Sequence, residues 1–332
     1  MARITILGCG FGTALAVLFN KNGHTVTAWT KFQEEIDAIE RDGEHKKLLP
    51  GVKIPGEISF TTDPACVSGA DIVIFAIPSK FVREAASRVS PFITDNTVIL
   101  NVGKGLEENT DKRLSQVISE EIPGNPVVVM AGPCHAEEAG REVPTTVVMA
   151  CNEPQYAEYI QETLQNGTFR IYVNDDVIGC EITAALKNPI ALACGIVEGM
   201  GLGDNTLAAL MTRGLTEITR LGVAMGARWE TFTGLAGIGD LIVTCTSMHS
   251  RNHRAGLLIG KGVPIEEAIA QVGTVEGYGC AKIVYELSKK KGVAMPIIEQ
   301  LYHVCYEGAN PVEGLKTLMS RPSKHEKEPF WN

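Results

Sequence analysis

The ten residues at positions 3–12 read RITILGCGFG, and they decide the fold of the first half of the chain. The first five form a short apolar run typical of a buried parallel strand, and three glycines follow within the next five. Residues 13–22 then show a helical pattern, and residues 24–29 form a second strand-like run. A strand, a glycine turn, a helix and a strand in this order hold a dinucleotide pyrophosphate at the helix N-terminus, because glycine lets the backbone approach the phosphates.

The spacing of these glycines departs from the usual G-x-G-x-x-G pattern, because only Phe11 separates Gly10 from Gly12. Either the turn is one residue shorter than usual, or Thr13 takes the third glycine position. We expect Gly8, Gly10, Phe11 and Gly12 to contact the dinucleotide.

The residues after the second strand bear on the choice between NAD and NADP. An NAD-selective site commonly has Asp or Glu there to bind the ribose hydroxyl, whereas this chain has Thr30 and Lys31. A lysine would tolerate the 2′-phosphate of NADP; alternatively, Lys31 simply starts the next helix. Both cofactors therefore stay open, with Lys31 as a candidate contact.

Strand-like and helical runs alternate up to residue 173, and only helical periodicity follows. This alternation predicts a parallel, doubly wound sheet with right-handed crossovers. The sequence therefore predicts an α/β fold: a Rossmann-like doubly wound parallel sheet in an N-terminal domain (1–175) and an all-helical C-terminal domain (176–332), with a tail from residue 324 that frays. Further strands are predicted over 58–61, 71–76, 97–102, 127–130 and 145–149, and helices over 32–42, 81–89, 112–121, 155–164, 177–198, 206–225, 240–244, 252–259, 265–272, 280–289 and 296–306.

Composition excludes several classes of protein. The formal net charge of −9 argues against a nucleic-acid partner, which needs a basic surface. Nine cysteines without a CxxC pair indicate reduced thiols in a cytoplasmic protein, and seven histidines without ligand spacing argue against a metal site. The first apolar run breaks at Gly8, too early for a signal peptide, and we expect no segment long enough to span a membrane.

Two loops after predicted strands carry candidate chemistry in the first half. Lys104 lies between Gly103 and Gly105, where it could place a positive charge on a phosphate or a polarised carbonyl. Cys134 and His135 follow another strand, but no spacing supplies a partner for a nucleophile or an acid, so those roles are the less favoured interpretation.

In the second half, Lys187 interrupts a long apolar helical run. Burial disfavours the charged form of a lysine, so Lys187 could exchange a proton near neutral pH; alternatively it lies at the rim with its head in water. Asp240 follows a glycine-rich turn and is expected to cap the next helix. Ser250, Arg251 and Asn252 open a further helix with groups that bind phosphate, although Arg251 could instead form a surface ion pair.

Taken together, these blocks resemble the bacterial type of NAD(P)-dependent glycerol-3-phosphate dehydrogenase. The resemblance covers nearly the whole chain. It rests on GTALA at 12–16, LPG at 49–51, KG at 104–105, GP at 132–133, ALKN at 185–188, TRGL at 212–215, GLAGIGDL at 234–241, TC at 244–245, SRN at 250–252 and VEG at 275–277.

The resemblance implies an enzyme that reduces dihydroxyacetone phosphate to sn-glycerol 3-phosphate for glycerophospholipid synthesis. It implies a Rossmann domain and a helical domain with the active site between them, and a possible homodimer. Carried over by motif, Lys187 is the general acid, and Lys104 contacts substrate and cofactor. For such a reaction we expect Lys104 and Asn188 to stabilise charge on the substrate oxygen. The remaining implied positions are Gly132, Cys134, Asp240, Ser250, Arg251 and Asn252 for the substrate, and Ala136, Arg251, Val275 and Glu276 for the cofactor.

Three departures from the family pattern concern the cofactor and substrate loops. The family usually has Gly-x-Gly-Ser-Trp-Gly, so one residue is missing here and Phe11 replaces the tryptophan. Gly103 and Cys134 stand where a serine or threonine, and a serine, are usual. Two other interpretations of the function remain. One is a dehydrogenase of the same architecture that acts on a hydroxyacyl thioester or a sugar acid, and the other is a binding protein that has lost turnover.

Overall fold

The computed structural model describes residues 1–331. The chain divides into two compact units. The first contains residues 1–107 and 112–177, and the second contains residues 108–111 and the chain from Ile178 onward.

The first unit is built on an eight-stranded sheet with the order β10-β9-β8-β7-β6-β1-β2-β5. The chain order reverses between β1 and β6, so the glycine turn after β1 lies at the switch point where α/β sheets bind ligands. A separate two-stranded sheet pairs β3 with β4. The strands are β1 (Arg3–Leu7), β2 (Thr25–Trp29), β3 (Glu44–His45), β4 (Leu49–Lys53), β5 (Ser59–Thr61), β6 (Ile72–Phe75), β7 (Val98–Asn101), β8 (Val127–Ala131), β9 (Thr145–Ala150) and β10 (Phe169–Asn174).

Apolar residues on both faces hold this sheet between two cores. In β6, Ile72 and Ile74 pack into one core and Val73 and Phe75 into the other, because successive side chains of a strand point to opposite faces. This burial on both faces explains why the sequences of the central strands are continuous apolar runs. The helices of the unit are α1 (Phe11–Lys21), α2 (Gln33–Asp42), α3 (Val82–Val89), α4 (Leu114–Glu121), α5 (Ala136–Ala139) and α6 (Pro154–Leu164).

The prediction of a wholly parallel sheet is wrong at one pair of strands. β8 and β9 are antiparallel, whereas β9 and β10 are again parallel. Only the four-residue helix α5 separates β8 from β9, and a parallel return normally needs a longer crossover helix. β10 was also missing from the predicted strands. It is an edge strand whose Arg170 and Tyr172 are exposed, so it lacks the continuous apolar run of its neighbours.

The second unit contains helices and no strand among its described residues, as predicted. A π-helical turn, Leu235–Gly239, leads directly into α9. The short helix α14 was not predicted. The helices are α7 (Val177–Gly199), α8 (Asp204–Ala224), α9 (Asp240–Thr246), α10 (Arg251–Gly260), α11 (Ile265–Val272), α12 (Glu276–Lys291), α13 (Pro296–Glu307) and α14 (Pro311–Met319).

Helix α7 corrects the expectation that no segment is long enough to span a membrane. Its length and apolar composition meet that criterion, but 94% of its most apolar 18-residue window is buried inside the protein. The central helix of a protein core passes the same test, so α7 is weak evidence for a span.

The C-terminal segment is anchored, contrary to the prediction that it frays. The Glu328 carboxylate is buried and accepts hydrogen bonds from Arg213, Arg220 and Lys324. The guanidinium of Arg220 holds the pKa of Glu328 down at about 2. Asn332 lies outside the described residues.

Candidate active site

The glycine turn after β1 is one residue shorter than usual, which settles the two alternatives for its spacing. Gly8 has φ +105°, and a Cβ there would lie 2.6 Å from the carbonyl oxygen of Ala76. Gly12 takes the third position, because a Cβ on it would lie 2.8 Å from Cγ2 of Ile6 on the adjoining strand. Thr13 follows Gly12, and its buried hydroxyl donates to the carbonyl oxygen of Cys9 at 2.6 Å.

The N-terminus of α1 has the features of an anion site. The helix begins at Phe11 with no acidic residue in its first turn, and no side chain in the described chain caps it. The first backbone N–H groups of a helix lack partners within the helix and carry partial positive charge. A Cβ added to Gly10 would have only Leu48 within 4 Å, at 3.7 Å, so there is space beside this turn.

Lys31 does not start a helix, so that interpretation of it is wrong. Helix α2 begins two residues later at Gln33, after Phe32 in the capping position. The Lys31 ammonium lies 4.9 Å from the ring centroid of Phe81 and 4.0 Å from Oε1 of Glu84. It thus lies on the surface just after β2, where the adenosine ribose of a dinucleotide would be recognised.

The loops after β7 and β8 bring two of the predicted residues together. Lys104 donates from Nζ to the carbonyl oxygen of Gly132 at 3.4 Å. Cys134 is half-buried in the same loop, and Ala136 is the first residue of α5, which places both at the same edge of the sheet as Lys104. The lysine thus has its charge beside the ends of two neighbouring strands.

In the second unit, Lys187 lies in the interior rather than at a rim. Only 4% of it is exposed, and its ammonium forms an ion pair with the carboxylate of Asp240, which is fully buried. The ammonium also donates to Oγ1 of Thr244 at 2.6 Å, and that hydroxyl donates to the backbone carbonyl oxygen of Asp240 at 2.6 Å. The carboxylate of Asp240 and the hydroxyl of Thr244 therefore fix the position of the Lys187 ammonium.

The expectation that Asp240 caps a helix is wrong. Gly239 occupies the capping position of α9 and Asp240 is the first helical residue. Its carboxylate is used by Lys187 instead, because the π-helical turn before α9 carries the chain straight into the helix. Thr244 is a further site residue that was not predicted. Its signal was the spacing of four residues from Asp240, which places both side chains on one face of a helix.

A chain of amide hydrogen bonds joins the residue after Lys187 to two other helices. Asn252 donates from Nδ2 to Oδ1 of Asn188 at 3.1 Å, and its own Oδ1 accepts from the N–H of Gly277 at 2.8 Å. This bond ties the start of α12, where Val275 and Glu276 lie, to the segments of Asn188 and Asn252. The first turns of α10 and α12 and the middle of α7 are thereby fixed relative to each other.

The start of α10 presents one charged group outward. Ser250 is the capping residue and its hydroxyl accepts from the N–H of His253 at 3.2 Å, which confirms that this triplet opens a helix. Arg251, the first residue of the helix, is exposed. An exposed guanidinium beside the free N–H groups of a helix start can bind a phosphate.

Helix α7 continues through Pro189, although proline cannot donate a backbone hydrogen bond. The carbonyl oxygen of Ala185, four residues earlier, accepts instead from the thiol of Cys280 at 3.5 Å. Burial raises the pKa of this thiol well above its usual value, so it stays protonated as the donor. The turn that carries Lys187 is therefore helical despite the proline.

Residues 3–157 match the family model described as NAD-dependent glycerol-3-phosphate dehydrogenase N-terminus, and residues 176–316 match the corresponding C-terminus model. The chain belongs to this family. The sequence resemblance to glycerol-3-phosphate dehydrogenases is thereby confirmed.

Relatives of this glycerol-3-phosphate dehydrogenase family support the same conclusion over the full length. The glycerol-3-phosphate dehydrogenase [NAD(P)+] of Moorella thermoacetica is 51% identical, covering 98% of each chain. That of Desulfitobacterium hafniense is 48% identical over 99% of this chain and 94% of its own length. The crystal structure of glycerol-3-phosphate dehydrogenase from Coxiella burnetii superposes with a TM-score of 0.92 at 36% identity, covering 96% of this chain and 99% of that one.

Proposed function

We propose that this protein is an NAD(P)-dependent glycerol-3-phosphate dehydrogenase, which reduces dihydroxyacetone phosphate reversibly to sn-glycerol 3-phosphate. The observation that carries the proposal is the buried amine of Lys187, held by Asp240 and Thr244. A ketone reductase needs such a proton donor, and the family and its relatives supply the substrate and cofactor class.

The first unit has the features that a dinucleotide requires. Gly8, Gly10, Phe11 and Gly12 would hold the pyrophosphate at the uncapped start of α1, and Lys31 would lie near the ribose. The further cofactor contacts that we propose are Lys104, Ala136, Arg251, Val275 and Glu276. When bound, NAD(P)H supplies the hydride that reduces the ketone carbon.

Lys187 gives a proton to the substrate oxygen as the alkoxide develops, and takes it back in the reverse direction. Asp240 favours the ammonium form, because an opposite charge in contact stabilises the charged state against the cost of burial. Thr244 directs the amine, and Lys104 and Asn188 stabilise charge on the substrate oxygen. Lys187 and Asp240 also contact the substrate in this proposal.

The phosphate of the substrate would bind at the start of α10. Ser250, Arg251 and Asn252 lie there, and the exposed guanidinium of Arg251 provides the charge. Binding energy from the phosphate then orients the distant carbonyl toward the proton donor. Lys104, Gly132 and Cys134 are the proposed substrate contacts from the first unit.

The proposal extends to the setting of the reaction. Residues 1–175 form the NAD(P)-binding domain and residues 176–332 the helical substrate-binding domain. The enzyme works in the cytoplasm, supplies glycerophospholipid synthesis and forms a homodimer. The proposal includes no metal.

The decisive experiment follows the oxidation of NADH and of NADPH when dihydroxyacetone phosphate is added to the purified protein. Lys187→Ala is expected to lower kcat by roughly a hundredfold or more, the usual contribution of a positioned acid. Lys261→Ala, an exposed lysine of the same unit, is the control. Near-normal turnover of Lys187→Ala would remove the lysine from this role. Cofactor binding without oxidation would instead favour a protein that has lost turnover.

A further inference from the structure

A cavity of about 220 Å³ that opens to the surface lies in the second unit, between helices α7, α8, α13 and α14. None of the residues proposed above for catalysis, substrate or cofactor lines it. It is larger than an engineered cavity of roughly 150 Å³ that binds benzene, so it has room for an organic group. Its walls are mostly apolar and include Ala193, Ile196, Leu210, Leu301 and Leu318.

The polarity of the cavity changes along helix α8. Ala209 and Leu210 line one end, and Arg213, Glu217 and Arg220 line the other. At a rise of about 1.5 Å per residue, the distance along the helix from Ala209 to Arg220 is about 16 Å. The cavity thus offers an apolar stretch that leads to a charged end.

The charged end already binds one carboxylate of the chain. Glu328 accepts from Nη2 of Arg213 at 3.0 Å, from Nε of Arg220 at 2.8 Å and from Lys324 at 3.0 Å. Arg220 approaches through two nitrogens, the fork geometry that guanidinium and carboxylate groups share. The cluster is therefore suited in shape and charge to a carboxylate.

Positive charge remains in excess at this end. Three cations contact Glu328, namely Arg213, Arg220 and Lys324, and Arg321 adds a further positive charge to the lining of the cavity. The one carboxyl group of the described chain that lines the cavity is that of Glu217, and burial raises its pKa to about 7. It is therefore only partly ionised near neutral pH. A second anion would be attracted to the arginine end.

We propose that this cavity binds a single-chain fatty carboxylate, with its alkyl chain between α8 and α13 and its head group on Arg213 and Arg321. A sugar phosphate would leave its hydroxyl groups unpaired against the apolar walls, and an uncharged hydrocarbon would gain nothing from the arginines. The proposal does not depend on the dehydrogenase reaction.

Isothermal titration calorimetry with hexanoate, octanoate and decanoate, all below their micelle concentrations, tests the apolar part. The Kd should fall by up to about fourfold per added methylene until the cavity is full, which is the value of burying one CH₂ group. Decanol, which has the same chain without the charge, should bind at least tenfold more weakly than decanoate.

Two substitutions locate the site. Ala209→Trp fills the cavity from an exposed position on α8 and should weaken decanoate binding by at least tenfold. Ala208→Trp is the matched control, because Ala208 is exposed on the same helix but does not line the cavity. Arg321→Glu should weaken the binding of decanoate while leaving that of decanol unchanged.

Several results would overturn the proposal. Equal decanoate affinity in the two tryptophan variants would place the ligand elsewhere, and equal affinity for decanol and decanoate would remove the arginines from the site. A third result would be that millimolar decanoate gives no heat of binding and that Ala209→Trp, but not Ala208→Trp, changes the sedimentation coefficient. This face would then join two copies of the chain instead. Circular dichroism confirms that each variant is folded before it is titrated.

Discussion

Replacing Asp240 by Asn tests the ion pair on which the proposed chemistry depends. Asp240 is fully buried and Lys187 is 4% exposed, so water cannot compensate either charge when the other is removed. Breaking a buried ion pair by removing one partner costs about 3–5 kcal/mol, whereas exposed pairs contribute about 0–1 kcal/mol. We therefore expect Asp240→Asn to lower the free energy of unfolding by about 3 kcal/mol or more. The amide still accepts one hydrogen bond, which places the loss toward the lower end of that range.

The same substitution should change the reaction. Without the carboxylate, burial favours the neutral amine of Lys187, and a neutral amine cannot act as the acid. The rate of dihydroxyacetone phosphate reduction should therefore begin to fall at a lower pH than in the unaltered protein, and kcat at neutral pH should fall with it. Urea unfolding measures the first effect, and the pH profile of kcat measures the second.

Two further variants make the test quantitative. Asp204→Asn removes an exposed carboxylate at the start of α8 and should change the free energy of unfolding by less than about 1 kcal/mol. Lys187→Met combined with Asp240→Leu removes both charges. The free energy of unfolding of this double variant should therefore fall by much less than the sum of the decreases in Lys187→Met alone and Asp240→Leu alone. The two side chains do not act as a buried pair if the decreases in Lys187→Met and Asp240→Leu add up in the double variant. The same holds if Asp240→Asn lowers the free energy of unfolding no more than Asp204→Asn does.

Three other predictions follow from separate contacts. Arg251→Ala should raise the KM for dihydroxyacetone phosphate by about 10- to 100-fold with a smaller change in kcat, and an unchanged KM would exclude it from phosphate binding. A Cβ at Gly277 would lie 2.5 Å from the carbonyl oxygen of Asn188, so Gly277→Ala should destabilise the protein by about 1–3 kcal/mol and lower kcat. Gly279→Ala, with nothing within 4 Å, is its control in urea unfolding, and equal stability of the two would contradict the packing argument. The pKa of Glu328 lies near 2, so its ionised carboxylate contributes about 3 kcal/mol to the free energy of unfolding above pH 4.5, and this contribution is lost as the pH falls toward 2. Glu328→Gln should abolish this dependence on pH. Unfolding curves followed by tryptophan fluorescence at several pH values measure it.

Much of the first unit was predictable because the signals are local. An apolar run, a glycine turn and a helical period each lie within about ten residues, and together they predicted β1, α1 and β2 in the right order. The edge strand β10 and the reversal between β8 and β9 were not predictable, since exposure and strand direction depend on which neighbour the strand meets.

The candidate site shows the same division more sharply. The chemical groups and their rough positions could be inferred from the sequence, such as a lysine in an apolar helix and an arginine at a helix start. Their contacts could not be inferred before the fold was known. The partner of Lys187 is 53 residues away in the chain, and Thr244 becomes a site residue only because α9 packs beside α7.

The glycine turn gives the physical reason. Three glycines in five residues indicate a backbone that must come close to something, but they do not say to what. Gly12 takes the third position because a Cβ on it would lie 2.8 Å from Cγ2 of Ile6 on the adjoining strand. Backbone preference is a property of a residue and its near neighbours, whereas close approach and charge pairing are properties of segments that meet only when the chain has folded.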